Sequence, residues 1–178
     1  MMSDRHFQGN GIRLRAPEPE DLEVMFRFEN ATDMWEMSNT TGPYSRFQLK
    51  QYIEQTQNDL FADRQLRLMI ENGNRQVVGI VDLCSFDPLH NRAEVGIMVD
   101  KSCRRQGIGR NALALLEEHC FRYLGIHQLF AYIAVENLPS RRLFAACGYK
   151  ESAVLKEWAH TFGGGYTDVL VVQKLNLS

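Results

Sequence analysis

No apolar run in this sequence approaches the roughly 18 residues of a membrane-spanning helix, so no membrane span is expected. The first residues, Met1 to His6, lack the apolar core of a secretion signal, which points to a cytoplasmic protein. Positive charge is not in excess. With 20 Lys and Arg against 22 Asp and Glu, the formal charge is −2, which argues against nucleic-acid binding by general electrostatics. The five histidines are scattered, with neither an H-E-x-x-H run nor an i,i+4 pair, and no metal is assigned. The four cysteines, at 84, 103, 120 and 147, lack C-x-x-C spacing and read as free thiols in a reducing compartment rather than as disulfides or zinc ligands. There is no linker rich in proline, glycine and serine, and no internal repeat. A single domain over 1–178 is expected, long enough to bury a proper core.

What the sequence does contain is concentrated in the octapeptide Arg104-Arg105-Gln106-Gly107-Ile108-Gly109-Arg110-Asn111. It follows a strand-like run, Ala93 to Val99, and opens an amphipathic segment from Ala112 to Phe121. A strand, a glycine turn and a helix N-terminus leave main-chain N–H groups unpaired and pointing one way, with the positive end of the helix dipole beside them. Gly107 and Gly109 let an anion approach the main chain, and Arg104, Arg105 and Arg110 add formal charge. The stretch describes a pyrophosphate cradle. Two other phosphate motifs do not fit it: Gly-x-Gly-x-x-Gly lacks its third glycine, and no Gly-Lys-Ser or Gly-Lys-Thr is present. A solvated basic turn between strand and helix is the plainer alternative.

A second segment, Val135 to Tyr149, makes the pairing specific. An Arg/Gln-x-x-Gly-x-Gly turn after a strand is followed about 30 residues on by Asn137-x-x-Ser140-x-Arg142 and then Gly148-Tyr149. In this the chain resembles the GNAT superfamily of acyl-CoA-dependent N-acetyltransferases over essentially its whole length. It is most similar to the branch holding the ribosomal-protein alanine and spermidine N-acetyltransferases, through Arg92-Ala93-Glu94 and the hairpin from Trp158 to Asp168.

Periodicity supplies the elements. Ile12–Arg15 alternates as a strand, and Pro17 to Asp21 opens a helix carrying Leu22, Met25, Phe26 and Glu29. Ser45-x-x-Gln48 is a capping box before a second helix with Leu49, Tyr52, Ile53 and Thr56 on one side. Strands follow at 66–71 and 77–86, then the motif strand and helix, a strand at 128–135, and a short helix from Pro139 to Gly148. The last hairpin spans 151–158 and 166–175. The expected class is α/β with a mixed α+β sheet. The resemblance implies the GNAT acyl-CoA N-acyltransferase fold, whose central sheet is splayed.

The resemblance also implies acetyl-CoA as co-substrate, lying in the splay and pairing with the main chain of Ile97, Met98 and Val99 as an added strand would. Their side chains read as core. Asn137 would hold the pantetheine, although by itself it reads equally as a helix cap or turn residue. Arg142 would reach the adenosine phosphates or remain solvated. The cofactor set is then Ile97, Met98, Val99, Arg104 to Asn111, Asn137, Ser140 and Arg142. The chemistry implied is direct attack of a primary amine on the thioester, with a main-chain N–H of Met98 or Val99 facing the carbonyl oxygen.

An alkylamine with a pKa near 10 must shed a proton to attack, so a base is useful. Glu94 is the first candidate, because it shares a strand face with Gly96 and Met98; its plainer reading is a carboxylate paired with Arg92 or a neighbouring strand's cation. Asp82, inside the apolar strand, is the second, and needs a partner or a cleft. Where many GNAT enzymes carry a tyrosine that protonates the departing thiolate, this chain has Phe144, leaving that role to Ser140, a water or no group.

The acceptor is expected to be a small-molecule amine or a protein N-terminus. Candidate contacts are Trp35, Tyr44, Asp82, Glu94 and Trp158; Tyr166 is a further aromatic, and Glu29, Asp33 and Glu36 are acids that would attract a cation. A polyamine such as spermidine is the alternative acceptor, and a non-catalytic acyl-CoA-binding module is the alternative of another class. A monomer or homodimer is expected, with no nucleic-acid partner.

Overall fold

Among the described residues, eight strands form a single sheet in the order β1-β2-β3-β4-β5-β6-β8-β7. The computed structural model describes residues 6–38 and 40–177, without the side chains of Met34, Glu36 and Met37. The strands are β1 (Gln8–Gly9), β2 (Ile12–Arg15), β3 (Leu66–Asn72), β4 (Val77–Asp87), β5 (Arg92–Val99), β6 (Gln128–Ala134), β7 (Lys150–His160) and β8 (Tyr166–Leu175). The helices are α1 (Leu22–Glu29), α2 (Trp35–Ser38), α3 (Arg46–Gln55), α4 (Leu60–Asp63), α5 (Ile108–Glu118) and α6 (Leu138–Ala146). No helix among the described residues is long and apolar enough to cross a membrane.

One joint in the sheet creates the site. Every neighbouring pair is antiparallel except β5 and β6, which run parallel and meet only at Arg92↔Gln128, Ala93↔Leu129 and Glu94↔Phe130. Beyond Glu94 each strand stays with its antiparallel partner. β5 follows β4 to the pair Gly79↔Val99, and β6 follows β8 to Ala134↔Val169. Each strand therefore remains hydrogen-bonded along one edge while sheet twist carries the two half-sheets apart.

Strand alternation sends side chains to two different cores. Leu68, Ile70, Val81, Leu83 and Val95 meet Ala112, Leu113 and Leu116 of α5 on one face. Met69 and Ile80 meet Met25 and Phe28 of α1 and Leu49 of α3 on the other. The 3.6-residue period of α5 buries Ala112, Leu113, Leu116 and Glu117. The capping box forms as its spacing predicts: Ser45 Oγ accepts from Gln48 N at 3.1 Å, and Ser45 N donates to Gln48 Oε1 at 2.8 Å.

The differences from sequence periodicity have local causes. The amphipathic segment expected to run to Phe121 is α-helical only to Glu118, then winds as a π-turn over His119–Tyr123. The β1 strand and the one-turn helices α2 and α4 are too short to show a period. The α6 helix begins one residue before Pro139, with Pro139 in its first turn.

Candidate active site

Where β5 and β6 part, a cleft of about 630 Å³ opens between the end of β5, the turn leading into α5, and α6. Ile97, Met98 and Val99 form its floor. Asp100 N donates to Val78 O on β4 at 2.8 Å, so alternation turns the main-chain polar groups of Met98 toward β4 and those of Ile97 and Val99 toward the splay. Arg104 folds back across this edge, its Nε donating to Val99 O at 3.0 Å.

The turn is shaped for an anion. Arg105 and Gly107 both lie in the left-handed region, at φ 61° and 78°, an alternation that gathers successive N–H groups into a concave nest. Gly107 occupies the N-cap of α5 and has no side chain to cap it, so the first amides of the helix are left for an outside acceptor. Arg104, Arg105, Arg110 and Arg142 are exposed around the opening. Gly109 has a packing role as well: a Cβ there would stand 3.2 Å from Leu143 Cδ2 on α6, so its absence lets the two walls approach.

Of the octapeptide, Arg104, Arg105, Gly107, Ile108, Gly109 and Arg110 line the cleft, while Gln106 and Asn111 do not. Gln106 turns back to Ser102 O, and Asn111 reaches Asn10. Asn137 and Ser140 line the far wall, and Asn137 is also the N-cap of α6, its Oδ1 accepting from Ser140 N at 3.2 Å. Phe144 lies inside the core, edge-on to Tyr149 with ring centroids 4.9 Å apart, while its neighbour Leu143 faces the cleft.

On the opposite face of the sheet, the side of α1 and α3, Glu94 sits at the last residue β5 shares with β6. It is half-buried and accepts a hydrogen bond from Ser85 Oγ at 3.2 Å. Burial raises its pKa above the ordinary carboxylate range, and the bonds from Ser85 and Cys84 only partly offset that. Arg92 pairs instead with Asp87, at 3.3 Å. Ser85 reaches Glu94 from an irregularity in the β4·β5 ladder, where its own φ is 51°.

Asp82 lies on the same face and is fully engaged. Arg67 Nε and Nη2 donate to its two oxygens at 2.9 and 2.8 Å, and Arg67 Nη1 donates to Glu29 at the end of α1. The start of α1 is tied similarly, by Arg15 to Asp21 at 2.7 Å and to Glu71 at 2.6 Å. A smaller hollow of about 210 Å³ lies between the end of α1 and the end of β5, sharing Met98, Val99 and Arg104 with the main cleft. The pairs Arg27–Asp100 and Lys101–Asp33 border it.

The expected aromatic contacts are dispersed. Trp35 donates Nε1–H to Glu29 O at 3.0 Å, close to the Arg67 cluster. Tyr44 is exposed on the loop before α3, where its main chain is held by Asn30, and Trp158 is exposed on β7; neither lines the cleft. The Glu36 side chain lies outside the described residues. Sequence reasoning missed Arg67, whose signal was a cation within the apolar run Leu66 to Ile70, matching the lone acid of the next strand.

Comparison with known proteins agrees with this geometry. The family model described as an acetyltransferase (GNAT) domain matches residues 12–150. A spermidine N(1)-acetyltransferase of Vibrio cholerae is 27% identical over 160 residues, covering 89% of both chains. Its counterpart in Escherichia coli is 23% identical over 153 residues, covering 86% of this chain and 78% of its own. Among solved structures, the Vibrio cholerae spermidine N-acetyltransferase in complex with CoA and spermine superimposes with a TM-score of 0.84 at 24% identity, covering 94% of this chain and 97% of that one. The ribosomal-protein-S5-alanine acetyltransferase of Vibrio fischeri gives 0.81 at 18% identity, covering 97% of each. At these identities the two structures establish a shared fold.

Proposed function

This chain belongs to the GNAT acetyltransferase family and is an N-acetyltransferase; from that premise we propose that acetyl-CoA binds in the splay and a cationic primary amine attacks from the α1 face. GNAT acetyltransferases use acetyl-CoA, and the residues present suit it. The observation that carries the reading is the placement of an anion-ready turn at the open end of the splay and a half-buried carboxylate, Glu94, at its closed end on the opposite face.

Acetyl-CoA supplies an acetyl group already activated as a thioester, so the protein's tasks are positioning and proton management. Holding both reactants in place supplies roughly 7–11 kcal/mol of barrier lowering. The nest at Arg105–Gly107 and the arginines around it hold phosphate, and the splay-side main chain of Ile97 and Val99 holds the arm. Of the two amides considered, Val99 N–H faces the splay and serves as donor to the acyl oxygen, while Met98 N–H is turned to β4. Glu94, oriented by Ser85 Oγ, lies five residues from Val99 along β5, roughly 16 Å, so it would take the amine's proton at a carboxylate oxygen through intervening water. Asp82 is unsuited to that task because Arg67 engages both its oxygens. Phe144 cannot donate to a departing thiolate, whereas Ser140 brings a hydroxyl to the cleft from α6. A thiolate with a pKa near 8.5 also leaves tolerably without an acid.

On the acceptor face Glu29 and Asp82 share one guanidinium, Arg67, and Glu94 stands further along the same face, a net negative charge that favours a cation. Together with the spermidine N(1)-acetyltransferase relative, this makes a polyamine the first acceptor to test and a protein N-terminus the second. Release of free CoA from acetyl-CoA should be followed against spermidine, spermine, peptides with free N-termini and amino acids. Turnover with spermidine above the peptide rate is expected. Tight acetyl-CoA binding without turnover on any amine would favour the second reading, a non-catalytic acyl-CoA binder.

A further inference from the structure

The two walls of the cleft come from separate segments, and their spacing has to be set by something outside the cleft. Near the opening, Gly109 and Leu143 touch. At the far end an ammonium bridges them beside the apolar core that both helices share. Lys174 on β8 donates to Glu117 Oε2 of α5 at 2.5 Å and to the main-chain oxygen of Cys147, the C-cap of α6, at 2.6 Å. A cation at a helix C-terminus is favoured by the exposed carbonyls and dipole there. The chain then turns over the lysine at Gly148, whose φ is 87° and where a Cβ would come 3.8 Å from Lys174 Cε.

Glu117 and Tyr149 are buried and Lys174 is part-exposed, and none of the three lines the cleft. Glu117 is 7% exposed, and the buried Tyr149 ring lies against the pair, 5.8 Å from Lys174 Nζ. Ion pairs of this kind are often replaced by apolar side chains of similar volume at little cost, so stability alone does not account for a buried carboxylate beside a part-exposed ammonium. The geometry does supply a role. The ammonium bonds fix the C-terminal end of α6 against the C-terminal half of α5, and the opposite ends of those helices carry the cofactor contacts. We propose that Lys174, with Glu117, is a positioning pair that sets the width of the acetyl-CoA cleft by holding α6 in register with α5. The inference rests on the cleft being the acetyl-CoA site.

The test is calorimetric titration of CoA into the full chain and three variants, with melting temperatures and steady-state rates on an accepted amine. Glu117→Leu/Lys174→Met removes both charges together, and should melt at or above the wild-type temperature. It should bind CoA about tenfold more weakly and raise KM for acetyl-CoA to match, with kcat within about twofold. Lys174→Arg, which keeps the charge and can donate to both partners, should recover most of the affinity. A folded double variant with wild-type CoA affinity would overturn the proposal. Should the double variant not fold, Glu117→Gln decides: a loss of about threefold is expected, and undiminished affinity would overturn the proposal equally. Wild-type protein that fails to take up CoA would end the cofactor reading and this inference with it. Equal tight binding by wild type and variants would end the inference alone.

Discussion

In the proposed function the two faces of the splayed sheet would hold their substrates in opposite ways. On the α5 face the contacts are main chain: a nest of amides at Arg105–Gly107 and a strand edge at Ile97 and Val99, surrounded by exposed arginines. On the α1 face they are side chains fixed by ion pairs. Arg15 ties the start of α1 to β3 through Asp21 and Glu71, and Arg67 ties its end to β4 through Glu29 and Asp82. A cofactor with a constant phosphate head would be met, in this proposal, by backbone geometry that few substitutions alter. An acceptor that differs between enzymes is met by side chains brought together from distant segments, so specificity can change without disturbing the cradle.

That contrast also explains what could be read from the sequence. The cradle and the α6 motif are local, each within about a dozen residues, and their glycine and arginine spacing survives as a pattern. The strand Tyr166–Leu175 and the capping box at Ser45 were legible for the same reason, being set by period and by neighbouring residues. The Glu29–Arg67–Asp82 cluster joins residues 38 and 15 positions apart: the β3·β4 register pairs Arg67 with Asp82, and the packing of α1 on the sheet adds Glu29. Ser85 beside Glu94 depends on a ladder irregularity that no periodicity announces. The aromatics Tyr44 and Trp158 fit a cation site by residue type, yet the fold leaves them away from the cleft.

The sharpest way to break the comparison is at Glu94. Glu94→Gln keeps the shape and removes the proton acceptor, so turnover at pH 7 should fall about 10²–10⁴-fold while CoA affinity stays unchanged. Because burial raises the Glu94 pKa, the base is deprotonated and active above that raised value, and the wild-type rate should fall as pH drops through it. The acidic limb should therefore lie above the ordinary glutamate range and disappear in Glu94→Gln. A mutant with the wild-type rate and pH profile would assign the proton to water.

Next in size is the acceptor wall. Arg67→Met leaves Glu29 and Asp82 facing each other without their shared cation. All three side chains are partly solvated, so the cost in stability should be roughly 2–4 kcal/mol, between the exposed and fully buried limits. In protein that remains folded, KM for the amine should rise far more than KM for acetyl-CoA. An equal rise in both would mean the two faces are not independent.

The cradle should respond more modestly, and only to backbone demands. Gly107→Val forces a β-branched residue into φ 78°, at a cost of about 1–2 kcal/mol, and should weaken CoA binding about tenfold. Gly107→Asn, which tolerates that conformation, should retain most of the affinity. Calorimetry finding both variants equally impaired would shift the recognition from backbone to side-chain space.

The smallest effect is expected at Phe144. A tyrosine there adds one hydroxyl to nearly the same volume, and where the family's acid reaches the sulfur this would supply the missing donor. In this chain the ring is 3% exposed and edge-on to Tyr149, with Leu143 between the helix core and the cleft. The new hydroxyl would find either a route to the cleft or a buried position without a partner. The first gives a modest gain in turnover. The second costs roughly 1–3 kcal/mol of stability and leaves the rate alone. Neither changes the rate by as much as tenfold if Ser140 or a water already manages the departing thiolate. Single-turnover rates and melting curves of Phe144→Tyr separate the cases. A folded variant accelerated a hundredfold would mean that the natural chain lacks a working acid, and would turn the cofactor face from one half of an enzyme into the whole of a binding protein.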